Sequence, residues 1–163
     1  MQSPEFVYVT YIQSSPERVW EALTDPRFTA RYWGRTYETD WEKGSQYGVT
    51  QSGVRVDDPG QVILEADPPR RLSYTWHTVS PEMAEAFGWS DEFFARVAAE
   101  PRSRVTFEIE PEPDHSVRLT VIHEGFEEGS AVLESISGGW PRVLANLKTL
   151  LETGEANLPG ASK

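Results

Sequence analysis

The sequence of 163 residues contains no cysteine and only three histidines. The lack of cysteine excludes disulfides, thiol chemistry and cysteine-ligated zinc. No three candidate ligands share a spacing that builds a metal site, so we expect neither a metal nor any other cofactor. The glycine-rich stretch "KGSQYGVTQSG" matches no phosphate-binding loop, and "SISGG" lacks the first glycine of a nucleophile elbow, so nucleophilic catalysis has no support.

Positive charge and long apolar runs are also scarce. With 15 basic and 26 acidic residues the net charge is −11, which disfavours nucleic acid and anionic membranes as partners. No segment approaches the roughly 18 consecutive apolar residues that can span a bilayer, so we expect no membrane span. The N-terminus "MQSPEFVYVT" has neither a basic leader nor a long apolar core, which makes a cytoplasmic location the default. The length suits one domain with a sizeable core.

The N-terminal part of the chain predicts a strand followed by two short helices. "FVYVTYI" is dense in β-branched and aromatic residues, as strands are. In "SSPERVWEALTDP", Ser15 suits a helix N-cap and Pro16 the first helical position. Asp25 and Pro26 end this helix and begin the next, which Gly34 is placed to terminate.

Further antiparallel strands are predicted after the second helix. Residues 36–67 alternate in short segments broken by glycine, and we expect a turn at residues 57–60, "DDPG". "RLSYTWHTV", "RVTFEIEP" and "SVRLTVIHE" are later strands, and the short connection "EPEPDHS" predicts that the last two form an antiparallel hairpin. Together with a long apolar helix at the end, this order predicts an α+β fold in which a curved sheet wraps that helix.

Residues 79–103 lack the alternating pattern of the strands around them and carry helix signals instead. Ser80-Pro81 and Ser90-Asp91 are typical helix starts, and Pro101 closes the second of these helices. Phenylalanine, tryptophan and methionine give the two helices apolar faces. The segment therefore predicts an inserted pair of helical turns, which either covers a cavity as a lid or extends the core.

The stretch "SISGGWPRVLANLKTLLETGE" predicts an amphipathic helix with an unusual head. Trp140 and the leucines that follow recur at helical spacing on one face. Two glycines and a proline stand at the head, where good helix formers are expected.

Taken together, several of these segments resemble the SRPBCC (START-like) superfamily, in its Activator of Hsp90 ATPase homologue 1-like branch. "SSPERVWEALTDP", "RLSYTW", "RVTFEIEP…VRLTVIHEGF" and "GGWPRVLANLKTLLE" occur in the family's order over residues 5–153. The resemblance implies a helix-grip fold, in which a sheet of about six or seven strands curls around the C-terminal helix and encloses a cavity. We expect one domain over residues 1–153, with 79–103 as a lid-like insertion and 154–163 as a flexible tail.

In such a fold the head of the last helix has two interpretations. Gly138 and Gly139 remove side chains that would block the cavity, while Trp140 forms an aromatic wall and Pro141 sets or bends the helix axis. Alternatively, the glycines end one helix and Pro141 starts another at its first position.

Most of the candidate ligand-binding residues are aromatic. Six tryptophans, six tyrosines and seven phenylalanines are many for this length, and aromatic walls suit a flat or ring-shaped apolar ligand. For any single ring, packing in the core is the simpler interpretation. His123 falls on the apolar face of its strand, where an imidazole orients a ligand, acts as an acid or base, or is a satisfied core residue. The predicted ligand-binding residues are Trp33, Tyr74, Trp76, Phe107, His123, Gly139 and Trp140.

The leading hypothesis is a binding module for a small apolar ligand of lipid, polyketide or aromatic type. The first alternative is a polyketide cyclase or aromatase that uses His123 and Tyr74, so whether the protein is an enzyme stays open. The second is an interaction protein that stimulates a chaperone ATPase. Full activators carry an additional N-terminal domain, and because this chain begins at the helix-grip strand we do not expect an Hsp90 homologue as its partner. A homodimer is also left open.

Overall fold

The structure, a computed structural model, describes residues 4–76 and 80–154. The predicted tail lies outside these residues from position 155 onward, and so does the start of the predicted insertion at position 79. Within the described residues the chain forms seven strands and five helices in an α+β arrangement. In chain order the elements are β1 (Phe6–Ile12), α1 (Pro16–Thr24), α2 (Pro26–Tyr32), β2 (Arg35–Glu38), β3 (Gln46–Gln51), β4 (Val54–Asp67), β5 (Arg71–Thr75), α3 (Pro81–Phe87), α4 (Asp91–Ala99), β6 (Arg104–Pro111), β7 (Val117–Glu124) and α5 (Ala131–Thr153).

Serine side chains cap the predicted helices at their N-termini. The Ser15 hydroxyl accepts a hydrogen bond from the Arg18 amide at 3.2 Å, and Ser80 and Ser90 cap α3 and α4 in the same way. Each cap satisfies an amide that the first helical turn leaves without a backbone acceptor. The starts predicted for these three helices are therefore confirmed, as is the pair of short helices after β1.

All seven strands belong to one antiparallel sheet with the order β1-β7-β6-β5-β4-β3-β2. The predicted hairpin between β6 and β7 is present, with Val105 opposite His123. Burial alternates along β7, where Val117, Leu119, Val121 and His123 face the core. This period of two places one face of the sheet against the helices.

The turn predicted at residues 57–60 is wrong, because these residues lie inside the continuous strand β4. They form an irregularity in the pairing with β3. The buried Gln61 amide donates to the carbonyls of Tyr47 at 2.9 Å and Val56 at 3.1 Å, and the Thr75 hydroxyl donates to the Gly60 carbonyl at 2.6 Å. These side chains satisfy backbone groups that the bulge removes from the ladder, so the strand continues through a turn-like sequence.

The last helix is continuous through its unusual head. α5 runs for 23 residues with Pro141 in its interior, so the interpretation in which Pro141 starts a new helix is wrong. Its buried face continues across the proline from Ile136 through Trp140 to Leu144. Tertiary burial of this face outweighs the poor local propensity of the glycines and the proline. No helix in the described part of the chain is long and apolar enough to cross a membrane.

Candidate functional site

Two adjoining cavities lie between the sheet and the helices. The larger has a volume of about 420 Å³ and is bounded by α2, β2, β3 and α5, and the smaller, of about 150 Å³, extends beneath α3 and α4. The two share five lining residues, and we therefore treat them as compartments of one site. The shared residues are Arg35, Gln51, Trp76, Ser135 and Ile136.

Three indole rings form the apolar wall of the larger cavity. Trp33 and Trp76 stack with ring centroids 6.2 Å apart and planes 11° from parallel. The ring of Trp140 lies 5.4 Å from Trp33 and 5.3 Å from Trp76. These residues come from the end of α2, the end of β5 and the middle of α5, and the fold brings them together. Such a wall suits a flat ring system.

Glycine keeps the α5 side of this cavity open. A Cβ built at Gly138 or Gly139 would meet no other described atom within 4 Å. Gly139 lines the larger cavity, whereas Gly138 is exposed to solvent. A larger side chain at position 139 would therefore project into the cavity, and the same side chain at position 138 would project into solvent.

His123 lies in the core with both ring nitrogens bonded. The Trp140 indole donates to Nδ1 at 3.0 Å, and the Ser103 hydroxyl lies 2.9 Å from Nε2. An indole N–H can only donate, so Nδ1 is the acceptor and the neutral ring carries its proton on Nε2, which donates to Ser103. Burial lowers the pKa of His123 from 6.5 to about 3. The geometry favours a satisfied core residue that positions Trp140.

Tyr74 and Phe107 also belong to the core rather than to the cavity walls. The Tyr74 and Tyr37 hydroxyl oxygens lie 2.9 Å apart, and the Phe107 ring lies 5.7 Å from that of Trp140 in an edge-on arrangement. Burial raises the pKa of Tyr37 and Tyr74, so both are neutral phenols. Of the seven predicted residues, Trp33, Trp76, Gly139 and Trp140 line the larger cavity, and the other three form the layer behind it.

A buried arginine at the junction of the two cavities was missed by sequence reasoning. Arg35 is 3% exposed. Its Nε donates to the Tyr37 hydroxyl at 2.7 Å and its Nη1 donates to the Gln51 side-chain oxygen at 3.0 Å. The guanidinium also lies over the Trp76 ring, 4.4 Å from its centroid, a distance typical of a cation–π contact. Strand alternation could have predicted its burial, because Arg35 and Tyr37 lie two residues apart on the buried face of β2.

Apolar side chains of the predicted insertion line the smaller cavity. Phe87, Trp89, Phe93 and Val97 face it from α3, α4 and their connection. The Glu100 carboxylate, just after α4, accepts hydrogen bonds from the first amides of α5, 2.8 Å from the nitrogen of Ala131. These contacts join the insertion to the N-terminal end of α5. A carboxylate there is favoured by the unpaired amides of the helix terminus.

Metal binding finds no support in the described side chains. Within residues 4–76 and 80–154, no group of three or more histidine, aspartate or glutamate residues is placed to hold a metal ion. The polar groups that the site does offer are the buried guanidinium of Arg35, the exposed guanidinium of Arg142, the amides of Gln51 and Asn146 and the hydroxyl of Ser135. Most of these groups donate hydrogen bonds.

The antiparallel sheet, the long C-terminal helix and the cavity between them together define a helix-grip protein. Residues 13–152 match the family described as "Activator of Hsp90 ATPase homolog 1-like protein", and the chain belongs to that family. This confirms the family and the fold that were predicted from the sequence. The comparison with curated proteins gives no match.

Solved structures show the same fold at low sequence identity. Protein MLL2253 from Mesorhizobium loti superimposes with a TM-score of 0.70 at 25% identity, over 91% of this chain and 96% of that one. The Aha1 dimer from Colwellia psychrerythraea gives 0.65 at 17% identity, over 94% and 99% of the two chains. DynU16, described as belonging to the dynemicin biosynthetic locus, gives 0.65 at 19% identity, over 93% of this chain and 48% of its own.

Proposed function

We propose that the protein binds a small, largely apolar ligand with flat rings in the larger cavity, between the sheet and α5. The observation that carries this proposal is a cavity of about 420 Å³ with three indole rings in its wall and Gly139 on the helix side. Small-molecule sites are typically concave and mostly apolar, with a few polar groups that fix the ligand's orientation. The walls belong to packed elements, so little ordering is needed when the ligand enters.

We propose that the insertion formed by α3 and α4 acts as the lid of this site. Its aromatic side chains face the smaller compartment, and the rings of Trp89 and Phe93 pack edge to face at 5.3 Å. Its attachment to α5 through Glu100 places it over the same helix that lines the larger compartment. A ligand that fills both compartments would therefore be covered by this segment.

Binding is tested first on the protein as purified. Native mass spectrometry would show a retained apolar ligand as a mass above that of the chain. A panel of aromatic acids, amides, polyketides and lipids would then be titrated while tryptophan fluorescence is followed, because three indoles line the larger cavity. A protein that is always empty and binds no member of the panel would contradict the proposal.

A matched pair of glycine variants tests where the ligand binds. Gly139→Leu should weaken binding of any ligand found in the panel by roughly tenfold or more, since overfilling a packed site costs about 1–3 kcal/mol. Gly138→Leu adds the same side chain on the exposed side of the same helix turn and should leave the affinity unchanged. Equal effects of the two variants would place the ligand elsewhere.

A polyketide cyclase or aromatase is the alternative within the same cavity. Its support is the likeness of fold to DynU16, from the dynemicin biosynthetic locus. Acid–base catalysis requires a titratable group within reach of the substrate, whereas His123 and Tyr74 lie behind the cavity wall with their polar atoms bonded inside the core. The geometry therefore favours binding over catalysis by these two residues. Loss of a discovered turnover in His123→Gln, with ligand affinity unchanged, would reverse that preference.

Two further hypotheses concern macromolecular partners. Stimulation of a chaperone ATPase rests on family membership alone, and an ATPase assay with the host's Hsp90 homologue tests it. A homodimer is favoured by the likeness of fold to the Aha1 dimer and by the outer face of the edge strand β1, where Val7, Val9 and Tyr11 are 44–51% exposed. Light scattering on the eluting protein measures the oligomeric state, and a monomeric mass at high concentration would exclude the dimer.

A further inference from the structure

The junction between the two cavities holds a buried positive charge. Arg35 lines both compartments, and its guanidinium is fixed by the Tyr37 hydroxyl, the Gln51 side-chain oxygen and the Trp76 ring. Arginine is always protonated, so this part of the wall is cationic at every working pH. A charged group that is buried and also lines a cavity is a candidate for contact with a ligand there.

The neighbours of Arg35 restrict what kind of group can approach it. Because the Gln51 oxygen accepts from Arg35, its amide nitrogen is the other polar end of that side chain and can only donate. The indole rings of Trp33 and Trp76 flank the same space and present apolar faces. Donors at one point and flat apolar surfaces around it together complement a ring system that carries one acceptor group.

We propose that the ligand is an aromatic or polycyclic acid whose anionic oxygens bind Arg35 while its rings lie against the three indoles. This inference rests on the proposed function and specifies the chemical class of its ligand. An anionic acceptor is favoured over a neutral one because hydrogen bonds between ionised partners are roughly twice as strong, the more so in an apolar site. The planar guanidinium is suited to paired contacts with a carboxylate.

The overall charge of the protein makes this local cation necessary. A net charge of −11 repels an acid at long range. Surface charges separated by more than about 8–10 Å of salt solution are screened, whereas a buried group at contact distance is not. An acid that binds better than its neutral analogue therefore has to meet a positive group inside the cavity.

A matched pair of probes, 2-naphthoate and 2-naphthamide, tests the inference on the unaltered protein. The two share ring system and shape and differ in charge. We expect 2-naphthoate to bind about 10- to 100-fold more tightly at neutral pH by isothermal titration, the difference that one hydrogen-bonded charged partner provides. Arg35→Gln should reduce this ratio to about one by weakening the acid alone. Arg70→Gln removes the same charge from an exposed turn, where Arg70 pairs with Asp67, and should leave the ratio unchanged.

The outcomes separate this inference from the proposed function. If the amide binds as tightly as the acid, the charge assignment is wrong while the cavity still binds apolar rings. If neither probe binds and the purified protein is empty, both proposals fail. If Arg35→Gln does not fold, the affinity ratio of 2-naphthoate to 2-naphthamide is compared between the unaltered protein and Arg142→Gln, because Arg142 is the exposed cation lining the larger cavity. A ratio that stays high in Arg142→Gln supports Arg35 as the partner of the acid. Loss of the preference in Arg142→Gln would move the acid to the cavity entrance and overturn the assignment.

Discussion

The buried histidine gives this protein a pH dependence that can be calculated. Folding lowers the pKa of His123 from 6.5 to about 3 because the ring is fully buried. The folded state therefore keeps the ring neutral while the unfolded state takes up a proton below pH 6.5. The stability associated with the neutral ring is complete above about pH 6.5, and it is lost as the pH falls toward about 3. The loss is about 1.4 kcal/mol for each pH unit, or roughly 3 kcal/mol between about pH 7.5 and about pH 4.

Urea unfolding followed by tryptophan fluorescence at a series of pH values measures the contribution of His123 to the free energy of unfolding. His123→Gln replaces the ring with an amide that still offers an acceptor to Trp140 and a donor to Ser103 but does not titrate. We expect its free energy of unfolding to fall less steeply with acid than that of the unaltered protein. His115→Asn, in the exposed β6–β7 turn with φ of 68°, is the control, because asparagine tolerates that backbone conformation. Parallel curves for the unaltered protein and His123→Gln would refute the reasoning.

Two further predictions concern the layer behind the cavity and the attachment of the lid. Tyr37→Phe removes the hydroxyl that joins Arg35 to Tyr74 and should lower the free energy of unfolding in urea by about 1–3 kcal/mol; an unchanged value would mean that the hydroxyl contributes nothing. Glu100→Gln removes a charged acceptor from the start of α5 and should cost about 1 kcal/mol, measured as a lower Tm. Glu85→Gln, which removes the same charge from an exposed site on α3, should leave Tm unchanged, and equal shifts in the two variants would contradict the capping role.

Local signals in the sequence account for most of the fold. Serine followed by proline or an acidic residue defined the helix starts because the cap is a local hydrogen bond within one turn. The prediction failed at residues 57–60 because "DDPG" has turn chemistry, whereas the strand continues through side-chain hydrogen bonds that form only in the folded sheet. The Gln61 amide and the Thr75 hydroxyl supply those bonds. The continuity of α5 depended likewise on packing that no local pattern contains.

The sequence predicted which side chains of the candidate site point inward, but not which of them reach the cavity wall. Alternation in β5 and β7 placed Tyr74 and His123 on the inward side, yet it could not separate residues at the cavity wall from those one layer behind. That distinction depends on how α5 docks, which sets Trp140 between His123 and the open space. Arg35 was not predicted as a site residue, because a charged residue at the start of a strand is usually solvated. Only its shared face with Tyr37 marked it as inward.

Trp140 links the stability of the core to the shape of the site. One edge of its indole donates to His123 in the core, while the ring contributes to the cavity wall beside Trp33 and Trp76. A rotation of this ring that filled the cavity would break the bond to His123 and leave a buried acceptor unsatisfied, at a cost of about 1–3 kcal/mol. The core therefore holds the wall in an open position before any ligand arrives. A site preorganised in this way spends little of its binding free energy on rearrangement, which is why His123, buried behind the wall, can matter for affinity without touching the ligand.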